Sequence, residues 1–438
     1  MTCFFVIYKV KNTAIMKTKQ LRVSKNYMIK TLLSFTIFLG LSSVNAQTIE
    51  TIKGNIVDSQ TNHTIPLARV QVNSTNVSTI TNSEGAFILK IPNNDTLDFL
   101  TITALGYNKR VIKITNLRED FNTITLDIAP TVLAQVDINT PSNARSLVEK
   151  MLTLKNENYS NNEVLMTGFY RETIKRRNRN ASLSEAIVSI YKTPVSSSKQ
   201  DEIALVKSRK QTNYKRLDTV AFKLQGGPYS ALHTDIIKYS EYVFNENTLD
   251  SYNFSFEKST QVNNTLVYVV AFKQKENTTD ALYYGKLYID AETFALTRSV
   301  FNLNVENRKQ ATSLFVVKKP RKANVYPTEA AYTVHYKQDN NTWQYAYSNI
   351  TLEFKINWKN RIFNSRYTLQ SEMAITNWKV NTDNSSIKHK DKLKTNAILQ
   401  NEVSGFSETD FWGKYNIIEP DKSIEYAIEK INKEQKKE

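Results

Sequence analysis

The chain has 438 residues, of which 40% are hydrophobic and 11% aromatic, and its formal net charge is +16. Only 10 Gly and 9 Pro accompany 23 Tyr and 20 Phe, which excludes a collagen-like or low-complexity chain and indicates two or three globular domains. A single cysteine excludes a disulfide framework.

Residues 28–46 have the organisation of a secretory signal peptide. Lys30 supplies the positive segment, and residues 32–41 form a short apolar run. Small residues then precede a predicted cleavage site between Ala46 and Gln47. Because the apolar run is too short to span a membrane, we predict export rather than anchoring.

The segment before the predicted cleavage site changes the charge of the chain. Residues 1–46 form the export segment, and translation is expected to start at Met28, with a long basic leader as the alternative. This segment holds seven Lys and Arg and no acid, so the net charge falls to +9 for the mature chain. The only cysteine, Cys3, precedes the cleavage site, so the sequence does not predict a lipoprotein.

Residues 47–130 have the pattern of a β-sandwich. Apolar Val70 and Val72 alternate with polar Arg69 and Gln71, and the same period of two recurs in several later runs. Clusters of turn-forming residues separate these runs, and Gly85 suits a position with positive φ. Six or seven short strands with turns every ~8–12 residues predict a sandwich.

The same segment resembles the carboxypeptidase regulatory-like domain. The patterns G-x-[IV]-x-D, P-L-A-x-V-x-V, E-G-x-F-x-L and L-G-Y follow one another between Gly54 and Tyr107. The resemblance implies a seven-stranded, transthyretin-like fold, which occurs as an accessory domain on secreted carboxypeptidases and on outer-membrane receptors of Gram-negative bacteria. It implies a location in the periplasm or on the periplasmic face of the outer membrane.

Residues 131–141 are predicted to be a linker, and residues 142–435 a second domain. Long runs of alternating apolar residues predict one antiparallel sheet of eight or more strands with one apolar face. A change of alternation at Ser348-Asn349 predicts a bulge or a turn. Helical spacing predicts helices at about 142–156, 229–239 and 420–433. The predicted fold is mainly β, with a half-barrel-like sheet and a few packed helices after the sandwich.

Two weaker resemblances concern the second domain. Residues 285–298 resemble the strand pair of LolA-type half-barrel carriers of lipoproteins and lipids. The motifs FYRE, LQGGP, YYGKLYID and FWGKYNIIEP resemble an uncharacterised family of envelope proteins that join a regulatory-like sandwich to such a β domain. The resemblance implies a family but no activity.

Signatures of catalysis are missing from the sequence. None of the four histidines belongs to H-x-x-E or H-E-x-x-H, so the zinc carboxypeptidase site does not accompany the regulatory-like segment. G-x-S-x-G, the P-loop and the dinucleotide fingerprint are missing as well. We expect a non-enzymatic protein without a cofactor or metal. A hydrolase whose carboxylates meet only in three dimensions stays as an alternative.

Four residues are candidates for a pocket or surface site: Tyr170, Arg171, Glu172 and Asp290. Arg171 and Glu172 would form a polar patch at a pocket mouth or, alternatively, a cross-strand ion pair on a solvated face. Asp290 would bind a cation together with Glu292 or, alternatively, order its hairpin.

The leading hypothesis is an exported, non-enzymatic envelope protein that binds a hydrophobic or glycan ligand or a membrane partner. The aromatic side chains of one sheet face would line a cavity or, alternatively, fill a core. Basic clusters at 175–179, 207–210 and 318–322 would contact anionic lipid or polysaccharide or, alternatively, remain solvated loops. The expected partner is a lipid, a glycan or an outer-membrane protein, and no nucleic acid; the oligomeric state stays open. A purely scaffolding role is the second hypothesis.

Overall fold

The computed structural model describes residues 49–92, 97–118, 120–129, 143–177, 179–212, 226–244, 248–262, 264–276, 278–316, 321–339, 341–359, 364–383, 385–402 and 411–426. The predicted signal peptide with its cleavage site at Ala46 and Gln47, the start at Met28 and the linker at 131–141 lie outside these residues and stay predictions. Within the described part, no helix is long and apolar enough to cross a membrane.

The N-terminal domain is the predicted seven-stranded sandwich. Its strands are β1 (Ile49–Asp58), β2 (Arg69–Val72), β3 (Ser78–Ile80), β4 (Ala86–Pro92), β5 (Phe99–Thr103), β6 (Arg110–Lys113) and β7 (Asn122–Leu126). One sheet has the order β4-β1-β7 and the other β3-β2-β5-β6. Neighbouring strands are antiparallel except β1 and β7, which run parallel.

Alternation along the strands builds the sandwich core. Val70 and Val72 are fully buried in it, whereas Arg69 and Gln71 point to the other side of β2. Gly85 has a φ of +74°, and a Cβ at this position would lie 2.8 Å from the carbonyl oxygen of Ile56. The turn before β4 therefore requires glycine, as the sequence predicts.

The C-terminal domain is built on a ten-stranded antiparallel sheet. Its strands are β8 (Val164–Arg176), β9 (Arg179–Lys192), β10 (Glu202–Thr212), β11 (Tyr252–Val262), β12 (Thr265–Gln274), β13 (Tyr283–Asp290), β14 (Leu296–Leu303), β15 (Ala323–Asp339), β16 (Thr342–Trp358) and β17 (Ser365–Val380). Strands β11 to β17 form a meander in chain order, and β17 then pairs with β8, which continues into β9 and β10. The sheet is open, with β10 and β11 as its edges.

The predicted change of alternation in β16 is a bulge. Tyr347 pairs with His335 and Tyr345 pairs with Tyr336, so Ala346 is the extra residue. The bulge lies two residues before the predicted position at Ser348-Asn349. It places Tyr345 and Tyr347 on opposite faces of the sheet, where they belong to separate hydrophobic clusters.

Five short α-helices lie wholly within the described residues. They are α1 (Ala144–Thr153), α2 (Lys155–Asn158), α3 (Pro228–Leu232), α4 (Arg308–Phe315) and α5 (Leu399–Glu402). Together, α1 and α2 occupy the predicted helix at 142–156. Residues 422–426 are helical within the predicted helix at 420–433, whose remainder lies outside the described residues.

Three helices differ from the sequence prediction, and one of them, α5, has Leu399 as its only buried residue and was not predicted. The predicted helix at 229–239 ends at Leu232, and the carboxylate of Asp235 accepts backbone hydrogen bonds from Ile237 and Lys238 in the turn that follows. Such side-chain bonds favour turns over a continuous helix. Helix α4 was not predicted, because Ala311 is its only buried residue and gives no periodic signal.

The large sheet packs on both faces. Helices α1 and α3 cover the face that carries Tyr170 and Met373, which we call the helix face. The sandwich and residues 411–424, which we call the C-terminal strap, cover the opposite face, which we call the sandwich face.

The C-terminal strap joins the sandwich to the large sheet. The Asn416 amide accepts a hydrogen bond from the backbone nitrogen of Lys90 at 2.6 Å and donates one to its carbonyl at 3.0 Å. It thereby covers β4, an edge strand of the sandwich. The hydroxyl of Thr79 donates to the carbonyl of Ile417, and Arg171 of the large sheet donates to the next carbonyl in the strap.

Candidate functional site

A cleft of about 610 Å³ lies between the sandwich and the large sheet. Residues of β2 and β5 form one wall, and residues of β14, β15 and β16 form the other. The described residues that line it include the basic side chains Arg69, Lys109, Arg298, His335 and Lys337, and neither Asp nor Glu. The cleft between the two domains is therefore lined by basic side chains and by no described acid.

Strand alternation places Arg69 on the sandwich wall of the cleft. Because Val70 and Val72 fill the sandwich core, Arg69 points away from it toward the large sheet. Its guanidinium carbon lies 5.9 Å from the ring centroid of Trp378 in β17. Burial lowers the pKa of Arg69 to about 10, so the side chain remains charged at neutral pH.

Strand register places three basic side chains on the opposite wall. Arg298 of β14 and His335 of β15 are direct partners in the antiparallel ladder. Lys337 follows two residues later and therefore lies on the same face of β15 as His335. The bulge at Ala346 turns Tyr347 to this face, and its ring meets His335 edge-on with centroids 5.4 Å apart.

Buried side-chain nitrogen atoms of the cleft have no hydrogen-bond partner among the described residues. They are Arg69 Nη1, Arg298 Nε, His335 Nε2, Lys337 Nζ and Trp343 Nε1. An unsatisfied buried donor costs about 1–3 kcal/mol, and more when it is charged. An acceptor that carries negative charge would satisfy several of these donors at once.

Burial and mutual repulsion lower the pKa values of the basic groups on the sheet wall. Burial and then the charge of Arg69 lower the pKa of Lys337 to about 6, against the attraction of Asp339. Burial and then the charges of Arg298 and Arg69 hold the pKa of His335 well below its usual value. At neutral pH the imidazole and most of the Lys337 amine are therefore uncharged, and Arg69 and Arg298 carry the positive charge of the buried nitrogens.

This arrangement suits the recognition of an anion. A guanidinium offers several donors in one plane, which match the oxygens of a carboxylate or a phosphate. Aromatic side chains of Tyr107, Trp343 and Tyr347 add apolar surface to the same cleft. A metal ion has no comparable site in the described part of the chain, where no three His, Cys, Asp or Glu cluster together.

The four residues singled out in the sequence do not line the cleft. Arg171 lies on the sandwich face, where its Nε donates to Glu185 at 2.7 Å and its Nη1 to Glu372 at 3.1 Å. Arg171 therefore forms a cross-strand ion pair, but its partners are Glu185 and Glu372 and not Glu172. The expectation that this pair lies on a solvated face was wrong. The side chain of Arg171 is 2% exposed, because the sandwich and the C-terminal strap cover it.

The buried ion pair is extended on one side by a second arginine. Glu185 contacts both Arg171 and Arg209, at 2.7 and 2.6 Å. Burial raises the pKa of Glu185, but the two guanidinium groups outweigh it and the pKa is lowered. Burial raises the pKa of Glu372, which contacts only Arg171 in this group.

Tyr170 and Glu172 lie together on the helix face. The Tyr170 hydroxyl donates to Glu172 Oε1 at 2.8 Å, and the second carboxylate oxygen has no partner among the described residues. Burial raises the pKa of Glu172 to about 7 despite this hydrogen bond. The pair is enclosed, with both side chains at 1% exposure or less, and so does not form a pocket mouth.

Asp290 orders the hairpin between β13 and β14. Its Oδ1 accepts hydrogen bonds from the backbone nitrogens of Glu292 and Thr293 and from the Thr293 hydroxyl. This is the local hairpin arrangement that the sequence offers as the alternative to cation binding.

A second buried charged cluster in the described residues is neutralised, as the Arg171 group is and in contrast to the cleft. On the helix face, Lys192 lies 2.8 Å from Asp235 and 3.2 Å from Asp201. Lys238 also contacts Asp201, and the Tyr336 hydroxyl donates to Asp235 at 2.9 Å. Two cations and two carboxylates satisfy one another here, so the cluster is structural.

Aromatic and aliphatic residues fill the helix face. Side chains of the segment around α3 are 1% exposed or less, namely Tyr229, Leu232, Ile236, Ile237 and Phe244. Phe244 meets Phe272 of β12 with ring centroids 4.9 Å apart. Of the two sequence-based alternatives, these residues form a packed core.

The residues of the cleft were missed in the sequence. Alternation alone places Arg69, His335 and Lys337 on outward-facing strand positions, where basic residues are ordinary. Their convergence depends on how a strand near the start of the chain meets strands about 230 to 270 positions later, which no local pattern contains.

Comparison with known proteins identifies one part of the chain. Residues 52–136 match the model of the CarboxypepD_reg-like domain, which is a regulatory-like and not a catalytic family. None of the curated proteins matches the chain.

Solved structures match the chain only distantly. A DUF1329 family protein from Desulfovibrio piger is 8% identical over 57% of this chain and 99% of its own, with a TM-score of 0.23. Lipovitellin is 7% identical over 53% of this chain and 27% of its own, with a TM-score of 0.27. A 9R-lipoxygenase from Cyanothece is 11% identical over 43% of this chain and 47% of its own, with a TM-score of 0.15.

The family assignment therefore rests on the sandwich. Its seven strands, the glycine turn before β4 and the match over residues 52–136 agree with one another. This chain carries a CarboxypepD_reg-like domain at its N-terminal side, followed by a ten-stranded antiparallel β domain.

Proposed function

We propose that this protein is an exported, non-enzymatic accessory protein of the envelope that binds an anionic ligand between its two β domains. The cleft between the sandwich and the large sheet carries the proposal. Both walls present half-buried basic side chains with buried nitrogen atoms, and no described lining residue is an acid. The predicted signal peptide supports the proposed location in the envelope, and the regulatory-like domain supports the accessory role.

The electrostatics of the cleft favour binding over a structural role. A buried charge is normally paired, as Arg171 is with Glu185 and Glu372. Arg69, Arg298 and Lys337 have no ion-pair partner among the described residues, although burial disfavours their charged forms. Because these unpaired charges destabilise the folded protein, an anion that binds in the cleft would stabilise it.

The size and lining of the cleft fit a small ligand. A volume of about 610 Å³ lies within the range of typical small-molecule sites. The rings of Tyr107, Trp343 and Tyr347 also line the cleft, with Trp343 and Tyr347 at 4% and 3% exposure. An acidic glycan combines sugar-ring faces with a carboxylate or phosphate and therefore matches this lining. The proposal thus specifies an acidic glycan where the sequence predicted a hydrophobic or glycan ligand.

A scaffolding role is the second candidate. The C-terminal strap favours it, because Asn416 and Thr79 help to fix the sandwich on the large sheet. In that account the cleft would be a gap between two rigid bodies. It would show no preference for anions.

Calorimetric titration of the exported chain separates these two candidates. The probes are glucuronate, which carries a carboxylate, glucose 6-phosphate, which carries a phosphate, and glucose as the neutral control. Binding of either acid but not of glucose supports the proposal and identifies the favoured anionic group. Equal binding of all three, or binding of none, contradicts it.

Cleft variants locate the binding. Arg298→Gln removes one positive charge from the sheet wall, and Lys337→Met removes an amine whose protonated form a bound anion would favour. Lys286→Met removes an exposed charge that contacts Glu257. We expect the two cleft variants to weaken binding of the acid about tenfold or more, since a hydrogen bond to a charged group contributes about 1.5–3 kcal/mol. Unchanged affinity in both cleft variants would place the ligand elsewhere.

A further inference from the structure

One end of the large sheet concentrates exposed positive charge. The end of β8, the start of β9, residues 321–322 before β15, the end of β16 and the start of β17 all lie at this end. We call it the basic end, and its exposed cations are Arg177, Arg179, Arg321, Lys322, Lys359 and Arg366.

Backbone contacts show that these cations are neighbours. The Arg177 nitrogen donates to the carbonyl of Arg366 at 3.3 Å, and the Lys359 nitrogen donates to the carbonyl of Lys322 at 3.0 Å. The strands β8, β17, β16 and β15 are adjacent in the sheet. At about 4.8 Å per strand, the basic end is roughly 15 Å wide, so its charges act together.

The cations of the basic end have no acidic partner among the described residues, in contrast to three exposed cations elsewhere. Lys286 contacts Glu257, Lys392 contacts Glu202, and Arg145 contacts Glu149 and Asp250. An ion pair cancels the field of an exposed lysine, but the field of the basic end remains directed outward.

Helix α4 adds an apolar residue beside the charges. Ala311 is its buried position, and Phe315 meets Phe354 of β16 edge-on with centroids 6.1 Å apart. The helix is held against the sheet in this way, and Leu314 is 60% exposed. Exposed Arg308 and Lys309 at the start of α4 continue the positive charge.

We propose that the basic end docks on a membrane surface that carries anionic lipid headgroups, with Leu314 entering the interface. Clustered Lys and Arg beside an exposed apolar side chain are the combination by which proteins lie on anionic bilayers. The interaction is independent of the cleft, since the two sites share no residue. In this orientation, the strands of the large sheet begin or end at the membrane surface and extend away from it.

Vesicle co-sedimentation of the exported chain tests the membrane proposal. The vesicles contain phosphatidylcholine with or without about 30% phosphatidylglycerol, at low and high salt. We expect sedimentation with the anionic vesicles only, and its loss at high salt because the headgroup attraction is screened. No sedimentation, or equal sedimentation with neutral vesicles, would overturn the proposal.

A matched pair of triple variants locates the contact. Arg177→Gln, Lys359→Gln and Arg366→Gln together neutralise three charges of the basic end. Lys199→Gln, Lys388→Gln and Lys390→Gln neutralise three exposed charges near the opposite end of the strands. At about fivefold per charge, we expect the first variant to weaken vesicle binding roughly 100-fold and the second to leave it nearly unchanged.

Two further measurements complete the test. Leu314→Ser is expected to weaken vesicle binding several-fold at unchanged charge, with thermal unfolding as the check on folding. Soluble polygalacturonate distinguishes a polysaccharide from a lipid partner. Tight binding to it together with no vesicle binding would overturn the membrane assignment, as would equal loss of binding in the two triple variants.

Discussion

Lys337 of the large sheet and Arg69 of the sandwich share one aromatic partner. The Lys337 Nζ lies 3.9 Å from the ring centroid of Trp378, and the Arg69 guanidinium carbon lies 5.9 Å from the same centroid. The indole nitrogen of Trp378 donates to Asp339 at 3.0 Å, which holds the ring in place. At this point the two domains therefore meet through basic side chains on an aromatic face.

Lys337→Met is expected to stabilise the protein and to weaken anion binding. The variant removes a buried, unpaired amine at similar volume, so the free energy of unfolding at pH 7 should rise by about 1–3 kcal/mol. The pKa of Lys337 falls from 10.5 to about 6 on folding. The unfolded state therefore binds the proton more strongly between these values, and the stability gain should shrink as the pH rises toward 10.

Urea unfolding at pH 7 and pH 10 measures this effect. Lys286→Met is the control, because Lys286 is exposed and its ion pair with Glu257 contributes little. A destabilised Lys337→Met variant at pH 7 would show that the amine has a partner in solution.

Anion binding is expected to strengthen as the pH falls. A bound carboxylate should raise the pKa of Lys337 above its value of about 6, so binding takes up a proton near neutral pH. Titration with glucuronate between pH 8 and pH 5.5 measures this, because the charge of a carboxylate changes little in that range. We expect a several-fold gain in affinity, which Lys337→Met abolishes; the same slope in that variant would assign the effect to another group.

Glu172→Gln is expected to stabilise the protein more at high pH than at low pH. Burial raises the pKa of Glu172 from 4.5 to about 7, so the folded state binds the proton more strongly and wild-type stability falls as the pH rises through this window. Glutamine carries no such dependence and can still accept from the Tyr170 hydroxyl. The increase in the free energy of unfolding caused by Glu172→Gln should be about 2 kcal/mol larger at pH 8 than at pH 5.

Urea unfolding of wild type and Glu172→Gln at both pH values checks this prediction. Glu353→Gln, on the partly exposed side of β16, is the control. Equal effects of Glu172→Gln at pH 5 and pH 8 would show that the pKa of this carboxyl is not raised in the folded protein.

Arg171→Met is expected to destabilise the fold by about 3–5 kcal/mol, as removal of one partner of a buried ion pair does. Glu372 loses its cation and the carbonyl of Ile418 loses its donor, whereas Glu185 keeps Arg209. Urea unfolding measures the loss, with Arg145→Met at an exposed ion pair as the control. A second substitution, Glu372→Leu, should recover part of the loss, and strict additivity of the two would contradict this coupling.

Strand alternation and turn chemistry made most of the fold predictable. The sandwich follows from Val70, Val72 and the glycine turn at Gly85, and the meander follows from the long alternating runs after residue 251. The pairing of β17 with β8 was beyond such patterns, because it joins strands about 200 residues apart. Helix α4 was missed because one buried alanine gives no period.

The candidate site was less predictable than the fold. The sequence drew attention to Arg171 through its neighbours, but burial and two carboxylate partners make it structural. His335 and Lys337 carry no local signal, since alternation shows only that they share a face. They become candidates for a binding site only because the sandwich places Arg69 in the same cleft.

Native mass spectrometry of the exported chain, purified from the periplasm, tests the central claim most directly. The comparison is between wild type and a variant with Arg69→Gln, Arg298→Gln and Lys337→Met, with extraction of bound molecules. We expect the wild type to carry an adduct of defined mass that is anionic on extraction, and the variant to lack it. A bare wild-type mass after incubation with envelope extract, or the same adduct on the variant, would contradict an anionic ligand in the cleft.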